Sequence, residues 1–149
     1  MDIADRLQDF LELRQLYNAA MRKVKTKIEI LDEEFQVRYN HNPIHHVECR
    51  LKSPQSIVEK LNRKGYGLSI ESIKKNILDI AGIRVICNYI DDIYIISELL
   101  LKQDDIELIR KRDYISNPKA NGYRSLHLVI TTPVFLSDRK ESVPVEIQI

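Results

Sequence analysis

Val143-Pro144-Val145-Glu146-Ile147-Gln148-Ile149 alternates with period two, so its apolar odd positions face one way and Glu146 and Gln148 the other. The pattern ends without a turn or cap, so the chain reads as cut inside or just after a strand, and the domain as incomplete. Working back from it, residues 123–132 and 106–115 read as two strands joined by the 117–122 loop. Residues 80–87 form an apolar strand carrying one arginine, Arg84, and residues 47–52 alternate as a short strand.

Helical readings fill the gaps. Residues 3 to about 39 contain no Gly or Pro. Leu7, Phe10, Leu11, Leu13 and Tyr17 make one apolar stripe, and Val24, Ile28, Leu31, Phe35 and Tyr39 another. The stripes differ in phase, which predicts a bend or break at Ala19-Ala20-Met21. Asn40-His41-Asn42-Pro43 ends this segment. Ser53-Pro54 supplies an N-cap and a first-turn proline for a helix to about Asn62. Gly65-Tyr66-Gly67 is a turn, residues 70–77 a short helix, and 93–102 a helix begun near Asp91-Asp92, where acidic residues suit the dipole. The order α-α-β-α-α-β-α-β-β-β predicts a mixed sheet with helices packed on it, an α/β fold of the α+β type. One domain spans 1–149, with a helical segment at 1–39 and the core at 44–149.

Composition narrows the function classes. At 149 residues and 17.5 kDa the chain is long enough to bury a core. A net charge of +1 excludes a global polybasic surface, so nucleic-acid binding would need a local patch. Cys49 and Cys87 form no CxxC, which disfavours a disulfide framework or zinc ribbon and fits a reducing, cytoplasmic compartment. The acidic N-terminus has no apolar signal region, and the most apolar run, residues 93–101, is too short for a bilayer. Arg22, Lys23, Lys25 and Lys27 read first as a solvated helix face and second as an anion or partner surface. His41, His45, His46 and Cys49 match no usual zinc spacing, and Pro43 interrupts them.

Four constellations carry candidate chemistry. Arg50 and Lys52 are two apart on a strand that leads into a helix N-terminus, and Ser56 and Lys60 share one face of that helix. Two cations, a hydroxyl, a helix end and another lysine suit a triphosphate, although they equally describe a capped helix with surface cations. Asp79, entering the strand of Arg84, is placed for a divalent metal, or else is a cap with Arg84 facing solvent. An arginine in an apolar run needs a partner such as a phosphate or a stacked ring. Glu146 on the last strand can join Asp79 in a metal site or act as a base, or else belongs to a solvent-facing alternation. Finally, Asn117-Pro118-Lys119-Ala120-Asn121-Gly122-Tyr123-Arg124-Ser125-Leu126-His127 lies beside Arg110-Lys111-Arg112. Together they concentrate charge at one hairpin end, with Tyr123 available to stack on a base.

Taken together these segments resemble the synthetase domain of the RelA/SpoT-type alarmone synthetases. The matching text is Arg50-Leu51-Lys52-Ser53-Pro54 with Ser56 and Lys60, Asp79-Ile80-Ala81-Gly82-Ile83-Arg84, Arg112-Asp113-Tyr114-Ile115, the loop from Asn117 to His127, and Val145-Glu146-Ile147-Gln148-Ile149. The short length is similar to the small single-domain members. The resemblance implies a nucleotidyltransferase-like mixed sheet flanked by helices, and transfer of pyrophosphate from ATP to the ribose 3′-hydroxyl of GDP or GTP, giving the alarmone (p)ppGpp. It implies that Arg50 and Arg84 sandwich the adenine and that Lys52, Ser56 and Lys60 hold the ATP phosphates. Asp79 and Glu146 would bind Mg²⁺, Glu146 also taking the hydroxyl proton. Tyr123 would stack on guanine, with Lys119, Arg112 and His127 contacting the acceptor's phosphates and nearby groups.

Two departures stand out. The family's acceptor-side Arg-x-Lys-Asp is here Arg110-Lys111-Arg112-Asp113, which leaves the choice between GDP and GTP open. The family also continues past Glu-Ile-Gln-Ile with Arg-Thr, further helices and a guanine-contacting Asn. The resemblance implies a homotetramer, with RNA or an alarmone as candidate regulators and no membrane. Competing readings are pyrophosphate transfer to an adenosine nucleotide or a tRNA 3′ end, and a non-catalytic nucleotide- or RNA-binding module.

Overall fold

The computed structural model describes residues 3–149, with side chains from Asp5 onward. Residues 1 and 2 of the expected helical segment lie outside the described residues. A single uninterrupted helix, α1 (Ile3–Tyr39), opens the chain. The expected break at Ala19-Ala20-Met21 is absent. Ala20 and Met21 are buried and link Leu13, Leu16 and Tyr17 to Val24, Ile28 and Leu31 in one stripe spaced three or four residues apart. Leu7 and Leu11, which set the phase of the first stripe, are 58% and 51% exposed, so they do not belong to the buried face. Asn40, at φ 47, takes the left-handed conformation that short polar side chains tolerate, and the helix stops there.

The remaining elements follow in the expected order. They are β1 (Ile44–Leu51), α2 (Pro54–Lys64), α3 (Ile70–Asn76), β2 (Ala81–Cys87), α4 (Ile90–Leu101), β3 (Glu107–Asp113), β4 (Leu126–Phe135) and β5 (Lys140–Gln148). Ser53 caps α2, its hydroxyl accepting from the Ser56 N–H at 3.1 Å, and Gly65 closes it at φ 73. Among the boundaries that differ from the sequence reading, three bear on the site. β1 takes in His45 and His46, because Ile44 is buried and starts the ladder against Cys87. α4 starts at Ile90. β4 starts at Leu126, so Tyr123 sits in the loop and not in the strand.

One five-stranded sheet has the order β1-β2-β5-β4-β3. β2 and β5 are parallel neighbours, and the other pairs are antiparallel, which makes the sheet mixed as expected. Its inner face presents Ile83, Val85, Leu128, Ile130, Val145 and Ile147 to the buried stripe of α1 and to Ile57, Leu61, Ile96 and Leu100 of the shorter helices. α1 touches β1, β2, β4 and β5, so it lies across four of the five strands. Fully burying side chains of this size contributes about 1.5–3 kcal/mol each. Cys49 and Cys87 are free thiols, and burial, with Asp92 and Asp32 adding, pushes Cys87 up to about 11. Among the described residues no helix is long and apolar enough to cross a membrane.

Candidate active site

With the helices on one face, the sheet's other face is left to polar groups. The strand registers set two rows across all five strands. One row is Glu48, Arg84, Gln148, His127 and Arg112; the other is Arg50, Gly82, Glu146, Val129 and Arg110. Residues paired directly across strands share a face, so these side chains point to the same side. Lys111 pairs with Leu128 and faces the opposite way.

A cavity of about 510 Å³ opens over β1, β2 and β5 and is lined by Arg50, Asp79, Gly82, Arg84, Glu146 and Gln148. That volume suits a small-molecule ligand. Gly82 keeps its floor low between Arg50 and Glu146, because it brings no side chain to the row. Arg84 is exposed on this open face rather than buried in its apolar strand.

Asp79 stands just before β2, and two cations meet on its carboxylate. Lys52 Nζ donates to Oδ2 at 3.0 Å and Lys60 Nζ to Oδ1 at 2.9 Å. Lys52 is placed by the end of β1, where its backbone N–H bonds Ile80 O, and Lys60 projects from α2. Burial pushes the Asp79 carboxyl up, but the hydrogen bonds and charges of Lys60 and Lys52 outweigh it and hold the group below the ordinary aspartate range. Ser56 instead accepts a bond from the Ser53 hydroxyl at 2.9 Å, at the α2 N-terminus.

Glu146 is held in a similar way. His127 Nε2 lies 3.0 Å from Glu146 Oε1, and Gln148 Nε2 donates to the same oxygen at 2.9 Å. The His127 contact is diagonal, since His127 pairs directly with Gln148 and Glu146 with Val129. Burial raises the Glu146 carboxyl, the bonds from His127 and Gln148 more than offset it, and the Asp79 charge is near enough to push back upward. The two carboxylates therefore converge on one cavity, both ionised.

The loop half is organised differently. Asp113 ends β3 and anchors the loop, accepting from the N–H groups of Ile115 and Ser116 at 2.9 and 3.0 Å and from Tyr94 Oη at 2.8 Å. A tight turn follows, with the Gly122 N–H on Lys119 O at 2.9 Å and Gly122 at φ 86. Lys119 Nζ lies 4.7 Å from the Tyr114 ring centre and 5.2 Å from that of Tyr123, and the two rings meet edge to face. A second cleft, of about 410 Å³, is lined by Tyr123 and Arg124 and shares Arg84 and Gln148 with the first.

The structure thus brings Arg50, Lys52, Lys60, Asp79, Arg84 and Glu146 to one end of the polar face, with Ser56 at the adjoining helix start. Tyr123 and Lys119 stand together in the loop, and Arg112 and His127 are neighbours on one row. His127 is turned to Glu146. Four contributors escaped the sequence reading: Gln148 as a partner of Glu146, Gly82 as the cavity floor, and Tyr94 with Asp113 as the loop anchor. Period-two alternation already placed Gln148 beside Glu146; nothing local marked Tyr94. His41 bonds Asp92 at 2.7 Å and His46 lies 3.2 Å from Glu48.

A mixed sheet with one helical face, and a polar face carrying two ionised carboxylates among cations, is the frame of a nucleotide-handling transferase. Residues 49–149 match the family model described as a region found in RelA / SpoT proteins, and the chain belongs to that family. Over 148 residues it is 43% identical to GTP pyrophosphokinase YwaC of Bacillus subtilis, covering 99% of this chain and 70% of that protein. Over 134 residues it is 38% identical to GTP pyrophosphokinase YjbM of the same organism, covering 89% of this chain and 62% of that one.

Solved structures agree. Small alarmone synthetase 1 of Bacillus subtilis, bound to its product pppGpp, superposes with a TM-score of 0.85 at 34% identity, over 95% of this chain and 72% of that one. A GTP pyrophosphokinase family protein from Streptococcus pneumoniae gives 0.86 at 32% identity, over 100% of this chain and 70% of its own. The expected fold is the fold observed. Pyrophosphokinases of this family typically use a divalent metal.

Proposed function

We propose that this protein transfers pyrophosphate from ATP to the ribose 3′-hydroxyl of GDP or GTP, making (p)ppGpp. The observation that carries the reading is the convergence of Asp79 and Glu146, both ionised, on a cavity flanked by Arg50, Arg84, Lys52 and Lys60. Family membership and likeness to named GTP pyrophosphokinases support it.

In this reading Arg50 and Arg84, set diagonally on the neighbouring strands β1 and β2 of the open face, take the adenine between their guanidinium planes. Lys52 and Lys60, with Ser56 at the α2 N-terminus, take the triphosphate. Tyr123 stacks on guanine, and Lys119, Arg112 and His127 steady the acceptor's phosphates and nearby groups. The acceptor's 3′ oxygen attacks the β-phosphorus, the bond to the α-phosphate oxygen breaks, AMP leaves, and the hydroxyl proton passes to Glu146. The cations spread along the face complement the charge on the transferring group.

The residues present fit Mg²⁺ of a particular kind. Mg²⁺ commonly takes one or two carboxylates and completes its shell with substrate phosphates and water. Asp79 and Glu146 offer that pair, and among the described residues no cluster of three or more His, Cys, Asp or Glu offers a full protein cage. Bound there, Mg²⁺ would neutralise charge developing on the phosphate oxygens. Solution in the cytoplasm and a homotetrameric state complete the reading.

The test is to incubate the protein with Mg²⁺ and γ-labelled ATP against GDP, GTP, AMP and deacylated tRNA in separate reactions. Label is expected on GDP or GTP. Label on AMP or tRNA alone would replace the acceptor, and no transfer to any of them would leave a nucleotide-binding module.

A further inference from the structure

Lys52 and Lys60 are both paired to Asp79 before any ligand is present, in a triad of net charge +1. Both carboxylate oxygens are taken, each by a lysine, at 3.0 and 2.9 Å. The side chains are 24%, 14% and 24% exposed, so the ion triad is only partly screened by water. Under the function proposed above, on which this inference rests, Asp79 is needed by the metal and both lysines by the triphosphate. Neither ligand can take its group without stranding the other. A metal arriving alone at Asp79 displaces two ammonium groups into a half-buried site beside a cation. A triphosphate arriving alone draws the lysines away and faces bare Asp79 and Glu146. Leaving a partly buried charge unpaired is costly, whereas exchanging partners in one step keeps every charge matched.

We infer that the Lys52–Asp79–Lys60 triad is a latch that makes metal and triphosphate bind as one unit. The site selects the metal–nucleotide complex and discriminates against free ATP and free metal. Because coupling between two ligands is reciprocal, the factor by which metal tightens ATP equals the factor by which ATP tightens metal. Glu146 is outside the latch, since its partners are His127 and Gln148. That asymmetry separates a latch from simple repulsion of phosphate by any nearby carboxylate.

The experiment is equilibrium binding at constant ionic strength, using ATP with EDTA, ATP with Mg²⁺, and Mn²⁺ alone followed by its electron paramagnetic resonance signal. The wild type should bind ATP at least about tenfold more weakly without metal, and Asp79→Asn should recover about fivefold or more of that loss. Glu146→Gln removes the same charge but frees no lysine, and should recover less than about twofold. Lys60→Gln frees one Asp79 oxygen and should strengthen binding of Mn²⁺ alone, which decides the matter if Asp79→Asn does not fold. Equal recovery in Asp79→Asn and Glu146→Gln would overturn the latch, as would equal wild-type affinity with and without metal. Failure of ATP to bind in either condition would overturn the ATP assignment of this site and the latch with it.

Discussion

The two ends of the polar face are built on opposite plans. Around Asp79 and Glu146, the functional groups stand on strands, a helix and their ends, and most of them are ion-paired. In the loop between β3 and β4, the side chains of Tyr123 and Lys119 meet each other and Tyr114, and the backbone closes on a tight turn. Under the proposed function, the end around Asp79 and Glu146 takes the donor and is preorganised through charge, whereas the loop end takes the acceptor and is shaped by aromatic contacts that a stacked base can replace. Arg84 and Gln148 line both clefts and join the two plans.

If the donor end works through charge, Lys60→Met should produce the largest separation between the two halves. Loss of a charge-assisted contact of about 1.5–3 kcal/mol corresponds to a roughly 10- to 150-fold rise in KM for ATP, with KM for the acceptor little changed. Steady-state kinetics with each substrate varied in turn measures it. A parallel rise in both constants would dissolve the distinction.

Tyr123→Ala should do the reverse. Base–aromatic stacking is worth about 1–3 kcal/mol, so acceptor affinity should fall about 5- to 150-fold, while ATP binding measured by calorimetry stays near wild type. Tyr123→Phe should keep most of the affinity. Equal loss for ATP would place Tyr123 at the donor.

Acid should weaken the charge-paired end through stability, as it does the loop anchor Asp113, whose carboxyl is also held below the ordinary aspartate range. Asp79 and Glu146 have folded pKa values below their ordinary 3.8 and 4.5. Their stabilising contribution is therefore full above those ordinary values and is lost as pH falls through the lower folded ones. The urea midpoint should hold from pH 7 to about pH 5 and then decline, and Asp79→Asn should flatten that decline. An unchanged acid profile in Asp79→Asn would count against the triad.

The smallest effect belongs to the loop anchor. Tyr94→Phe removes the 2.8 Å bond to Asp113 and should raise KM for the acceptor only a few-fold, leaving the urea midpoint nearly unchanged. A large loss of ATP affinity instead would mean that the loop supports the donor end.

Local chemistry made much of this legible before the structure. The period-two run ending at Ile149 put Glu146 and Gln148 on one face, and Ser53-Pro54 and Gly65 marked both ends of α2. The α1 stripe departs from the sequence expectation because Leu7 and Leu11 are apolar yet face outward, so composition there does not report burial. Partner choice was hidden for a different reason. Lys52 and Lys60 lie 27 and 19 residues from Asp79, and they meet it through the pairing of β1 with β2 and the placement of α2 after β1. The diagonal from His127 to Glu146 likewise depends on the β4–β5 register, which alternation alone leaves open.

Under the proposed function, Glu146 serves the transfer step on a face where other residues hold both nucleotides. The most direct measurement of that role is single-turnover transfer of label from γ-labelled ATP to GDP by the wild type and by Glu146→Gln, with binding of both nucleotides followed in parallel. A well-placed base contributes about 10²- to 10⁴-fold, so the variant should lose transfer on that scale while both nucleotides still bind. Transfer within a few-fold of wild type would remove Glu146 from the transfer step.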